Sequence, residues 1–199
     1  MQHEEEKMRK TAFVIRHSNR GHIADPLRHA EVLLNSEGEK HAYEFGKKLS
    51  QEFTRLRIYS SPIQRCIQTA KCIQTAFNDD SKVQLSTMLG EPGPYVFGDA
   101  TESFISLGTV GIVERIENGT PTPYIRKEEE GAKILLDFIR AETDKSDEIT
   151  ANVFITHDAC IAPVIHCFTG EYFDRNHWIE FLGGLKIQIG EGLLNLIRI

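Results

Sequence analysis

Arg16-His17-Ser18-Asn19-Arg20 sets two guanidiniums and an imidazole at the end of the apolar run Ala12-Phe13-Val14-Ile15. Arginine is permanently charged and seldom buried unpaired, so this cluster at the end of a core strand calls for an anion. Two later segments have a related form. Val153-Phe154-Ile155-Thr156 runs into His157-Asp158, and Ile58-Tyr59 runs into Ser60-Ser61-Pro62 with Arg65 one helical turn further on. If these strands are parallel, Arg16, His17, Arg20, Arg65, His157 and Asp158 converge on one sheet edge. Three guanidiniums and two imidazoles against one carboxylate form a positive pocket suited to phosphoryl oxygens. The bland alternative for Arg65 is an ordinary ion pair with a carboxylate of the chain.

The elements that must position these residues follow from apolar spacing. A strand is expected over 11–17 and a helix from Asn35, as N-cap, to Phe53, with Ala42, Phe45, Gly46 and Leu49 facing inward. A strand over 56–60 leads into a helix that Ser61 caps and Pro62 opens, with Ile63, Ile67, Ala70, Ile73 and Phe77 as its buried stripe. A short strand is expected at 82–86. Pro92, Pro94, Pro121, Pro123 and six glycines make 88–126 read as an irregular insertion over one end of the sheet. Glu128-Glu129-Glu130 open a helix to about Thr143, acidic where the macrodipole favours it. A strand at 152–156 precedes a helix from about Ala159. The chain closes with a hairpin joined at Gly190-Glu191-Gly192. The expected fold is a three-layer α/β/α sandwich with a mostly parallel sheet and an antiparallel edge hairpin. Ligands of such sheets bind beyond the carboxyl ends of the strands.

Composition narrows the function class. At 199 residues, 40% apolar and 26% charged, the chain suits one globular domain, read as 11–199 after a mobile tail at 1–10. No run approaches the roughly 18 apolar residues of a membrane span. The charged first ten residues do not resemble a secretory leader. The four cysteines lack metal-ligand spacing, so reduced thiols in a cytoplasm are expected, without a metal site. A net charge of −6 argues against a nucleic-acid surface. His22, His29, His41, His166 and His177 lack motif support. Cys160, Trp178 and Phe181 are read as packing residues.

The R-H-x-x-R at the first strand end, "SSPIQRCIQTA" and "THD" together resemble the histidine phosphatase superfamily, which includes phosphoglycerate mutases and acid phosphatases. "LNSEGEKHAYEFGKKL" is similar to the segment that follows its first motif. The resemblance implies that His17 is a nucleophile forming a phosphohistidine, with Arg16, Arg20, Arg65 and His157 holding the phosphoryl oxygens and no metal or cofactor. It implies a metal-independent phosphatase acting on a small-molecule or peptide phosphoester. The alternatives are a phosphomutase of the same superfamily and a non-catalytic phosphate-binding module. For the proton donor, "HD" resembles the acid-phosphatase branch and favours Asp158. Glu91 of "LGEPG", similar to the mutase-like branch, is the alternative. Ser18 departs from the usual R-H-G; a positive φ there would cost about 1 kcal/mol or more. The tryptophan-rich continuation of the glycolytic mutases is absent. Tyr95, Phe97, Phe104 and Tyr124 either anchor the insertion or meet an apolar leaving group.

Overall fold

The structure, a computed structural model, describes residues 9–190 and 193–199. Residues 1–8 of the expected tail, and Glu191 and Gly192 of the expected hairpin turn, lie outside the described residues. Among the described residues, six strands form one sheet: β1 (Lys10–Arg16), β2 (Arg55–Ser60), β3 (Gln84–Leu85), β4 (Thr150–Thr156), β5 (Gly184–Gly190) and β6 (Leu193–Arg198). Their order is β3-β2-β4-β1-β5-β6. The first four in that order are parallel, and β5 and β6 complete the sheet antiparallel. The two histidine-bearing strands, β1 and β4, are therefore central neighbours.

Helices α1 (Ser36–Glu52), α2 (Gln64–Phe77), α3 (Thr101–Glu117), α4 (Glu128–Thr143) and α5 (Asp158–Thr169) cover the sheet. Phe13 and Ile15 of β1 face a core shared with α1 and α2, whereas Ala12 and Val14 face one shared with α3, α4 and α5. Burial on both faces explains why β1 and β4 are continuously apolar rather than alternating. Asn35 caps α1 as its residue type suggests, its Oδ1 accepting the Gly38 N–H at 2.8 Å. No helix among the described residues is long and apolar enough to cross a membrane.

Three expectations need correction. Lys10, assigned to the tail, is the first residue of β1. α2 begins at Gln64 rather than Pro62, although Ser61 Oγ still accepts the Ile63 N–H. Its buried face carries Arg65, Cys66, Thr69, Ala70 and Ile73, with Ile67 only partly covered. The helix is rotated so that polar Arg65, Thr69 and Gln74 lie on its buried face, the first two in contact with His17, His157 and Ser18. Finally, 88–126 is not irregular throughout. It contains α3, broken at Gly108 (φ 67°), with Ile112, Val113 and Ile116 buried. A glycine with positive φ interrupts the apolar period there, which is why the spacing does not announce a helix.

Candidate active site

The backbone of Arg16 and His17 is tied on both sides. Arg16 N–H donates to the Gly183 carbonyl (2.9 Å), and its own carbonyl accepts from Leu182 (3.2 Å). His17 N–H donates to the Thr156 carbonyl (3.0 Å), carrying the β1–β4 ladder one residue past the strand. The His17 ring is thus fixed where the two central strands end.

Its tautomer follows from its neighbours. Nδ1 lies 2.8 Å from the Ser18 carbonyl, to which it donates, and Nε2 accepts from Arg65 Nε at 3.0 Å. Burial, then His157 and the guanidiniums of Arg65 and Arg16, hold His17 well below the ordinary 6.5, against the raising pull of the Ser18 carbonyl. His17 is a neutral imidazole with its Nε2 lone pair turned toward the arginines.

His157 follows β4 and caps α5. Its ring lies 5.5 Å from that of His17, centroid to centroid. Arg65 Nη2 approaches His157 Nδ1 (3.3 Å), so Nε2 donates to Ser61 Oγ (3.0 Å). Burial, then Arg65, lowers His157 to about 3. Arg65 also donates through Nη1 to the His29 carbonyl (2.7 Å). Thr69, one turn along α2, accepts the Ser18 N–H (3.0 Å) and donates to the Arg65 carbonyl (2.8 Å). One hydroxyl thereby links the two motifs.

Arg20 donates to the Gly21 carbonyl (2.9 Å), and burial with repulsion from Arg65 and Arg16 lowers its pKa. The three guanidiniums sense one another, as a shared pocket requires. Of the three pocket guanidiniums only Arg16 pairs with a carboxylate among the described residues: its Nη2 lies 2.9 Å from Asp158 Oδ2. The ordinary ion-pair reading of Arg65 finds no support there.

Asp158, the first residue of α5, is fully engaged. Oδ2 accepts from Arg16 and from Trp178 Nε1 (3.0 Å), and Oδ1 accepts the Ala159 N–H (2.9 Å). Burial alone would raise its pKa, but Arg16, the indole and the two imidazoles outweigh it and lower it. Glu91 is differently placed. Gly90 packs so closely over Ser61 that a Cβ would lie 2.2 Å from Ser61 Oγ, and Thr156 Oγ1 donates to the Leu89 carbonyl (2.7 Å). These contacts bring Glu91 to the rim, where its Oε1 meets His29 Nε2 at 3.0 Å and its side chain is 62% exposed.

Ser18 does not have a positive φ. The strain considered for a glycine replacement is absent, and its fully buried hydroxyl donates to the Gly38 carbonyl (2.8 Å). Of the insertion aromatics, Tyr95 is buried and Phe104 packs on the core, so both are anchors. Phe97 and Tyr124 are exposed, their rings 5.9 Å apart. Among the described residues no group of three or more His, Cys, Asp or Glu is placed to hold a metal ion.

The family model of the histidine phosphatase superfamily, branch 1, matches residues 13–96. That segment contains the first two of the three motifs quoted for the resemblance. The likeness of fold extends beyond the matched segment. A phosphoglycerate mutase from Bacillus anthracis str. Sterne superposes with TM-score 0.62 at 17% identity, covering 97% of this chain and 93% of the other. The protein histidine phosphatase SixA complexed with tungstate gives 0.58 at 13% identity, over 95% and 96%. A phosphoserine phosphatase mutant from Entamoeba histolytica, in complex with phosphoserine, gives 0.56 at 17% identity, over 94% of each chain. No curated protein matches the chain by sequence.

Sequence reasoning assembled the seven candidate residues but passed over four others. Thr69 lies four residues after Arg65, on the same helix face, and that spacing was its only signal. His29, Trp178 and Phe181 lie far from the motifs in sequence and carried none.

Proposed function

We propose that the chain is a phosphomonoesterase working through a phosphohistidine at His17, with guanidiniums supplying the charge stabilisation. The observation that carries this reading is the neutral His17, its Nε2 free of a proton and directed at Arg65 within a pocket of three arginines. An incoming phosphoryl group draws Arg65 onto its oxygens and releases the Nε2 lone pair. Nε2 then attacks phosphorus as the bond to the leaving oxygen breaks. Nδ1–H, held on the Ser18 carbonyl, supports the positive charge that develops on the ring. Arg16, Arg20, Arg65 and His157 hold the transferring group.

The leaving oxygen takes its proton from Glu91 in this reading. Asp158 has three donors on its two oxygens, an arrangement that favours the carboxylate, whereas Glu91 stands at the rim where a leaving group departs. In the second step water attacks phosphorus, Glu91 takes the water proton, and phosphate leaves with neutral His17 restored. The phosphatases among the similar folds are compatible with hydrolysis. The mutase neighbour keeps phosphoryl transfer to a second hydroxyl as the competing outcome, which a phosphate-release assay separates.

Incubation with a labelled phosphomonoester and acid-free quenching is expected to trap label on His17 as a base-stable, acid-labile adduct that His17→Ala lacks. Label on a hydroxyl, or none with any ester while phosphate still binds, would overturn the reading in favour of another nucleophile or a binding module.

A further inference from the structure

The single tryptophan of the chain is not simple packing. Trp178 Nε1 donates to Asp158 Oδ2 at 3.0 Å, and the same oxygen lies 2.9 Å from Arg16 Nη2. The segment that carries the indole also surrounds Arg16. Ile179 accepts from Arg16 Nη1 through its carbonyl. The Phe181 ring lies 4.2 Å under the Arg16 guanidinium carbon and 5.8 Å from the His17 ring. Leu182 and Gly183 hold the Arg16 main chain. A guanidinium on a long flexible stem has little direction of its own. Here it is fixed by a carboxylate, a carbonyl and an aromatic face, and the carboxylate is in turn fixed by the indole.

We propose that Trp178 is a positioning residue: its N–H fixes the Asp158 carboxylate on Arg16, and through that carboxylate sets the direction in which Arg16 meets the phosphoryl group. The proposal rests on the functional reading above and gives Asp158 a second role, that of a fixed counter-ion. It follows that the effect of the indole N–H passes entirely through Asp158. The groups that face this carboxylate and Arg16 are His17, His157, Arg20, Arg65 and Glu180, so a change in its protonation would be felt across the pocket.

The test is a double-mutant cycle read by calorimetric binding of inorganic phosphate, which needs no turnover. Trp178→Phe keeps the ring and removes the donor. It is expected to weaken phosphate binding about 5- to 10-fold in the native background and to change nothing in an Asp158→Ala background. Where turnover is measurable, Trp178→Phe lowers kcat/KM and raises the acidic limb of its pH profile, a change that lost packing alone would not produce. Equal weakening in both backgrounds, or none in either, overturns the proposal. If native protein binds phosphate with this dependence yet hydrolyses no ester, the functional reading fails while the positioning role stands. Should Trp178→Phe not fold, the sole indole N–H resonance of the native chain decides. It is expected to move on addition of phosphate and to lose that response in Asp158→Asn; a resonance indifferent to phosphate overturns the proposal.

Discussion

At the scale of single residues, the two carboxyl groups near the pocket are distinguished by what already occupies their oxygens. Asp158 accepts from a guanidinium, an indole and a main-chain N–H, whereas Glu91 meets one imidazole at the rim. A group that must release a proton to a departing alkoxide matters most when that alkoxide is poorly stabilised. Glu91→Gln is therefore expected to slow alkyl phosphate esters by about 10²–10⁴-fold and an activated aryl phosphate far less. Asp158→Asn is expected to weaken both classes alike, because it disturbs Arg16 rather than the proton. Steady-state rates across a leaving-group series check this; the opposite pattern would return the donor role to Asp158. Ser18 shows the same dependence on partners. Its replacement of the usual glycine is accommodated without positive φ, and its hydroxyl joins the first motif to α1.

At the scale of elements, α1 and α2 meet through small residues. A Cβ on Gly46 would fall 2.8 Å from the Ile73 carbonyl oxygen and 2.8 Å from Ala76 Cβ. Gly46→Ala is expected to destabilise by about 1–3 kcal/mol, since the obstacle is α2 backbone and the helices must separate to admit a methyl group. Urea unfolding midpoints measure this, and an unchanged or raised midpoint would refute the close-approach argument. The strands and helices that frame the pocket were legible because their signals are local: apolar runs for β1 and β4, the Asn35 cap for α1, acidic first-turn residues for α4. The rotation of α2 was not legible, since apolar spacing is blind to a requirement that Arg65 and Thr69 face inward. α3 was hidden by Gly108. At the site, three motifs at strand ends gathered His17, His157 and the arginines. Trp178, Phe181 and His29 reach them only through tertiary packing, which no spacing encodes.

At the scale of the whole molecule, buried ionisable groups set opposing dependences on pH. Burial raises Glu117 from 4.5 to about 7; its Oε2 accepts the Phe173 N–H, and its Oε1 has no hydrogen-bond partner. The native state keeps this proton where the unfolded chain has lost it. Its contribution to stability is complete below about pH 4.5 and disappears as pH rises toward 7. His157, lowered from 6.5 to about 3, acts in reverse: its contribution is present above about 6.5 and is lost as pH falls. His17, also lowered, has the same sign. Glu117→Gln removes the first trend and leaves the second, so its unfolding midpoint should climb more steeply from pH 5 to 7 than that of the native chain. Equal slopes in the two proteins would show that Glu117 is not the group responsible.

The central placement of β1 and β4 has a consequence for hydrogen exchange. Both strands have neighbours on each side, and both faces of the sheet are covered. Their amides become accessible to solvent deuterium only through the largest openings of the chain, whereas two-residue β3 and the exposed tip around Phe97 and Tyr124 exchange through small ones. His17 and His157 sit at the ends of the slowest-exchanging strands. Partial denaturation should therefore uncover the rim that carries Glu91 before it disturbs the imidazoles, separating loss of proton transfer from loss of the phosphoryl cradle.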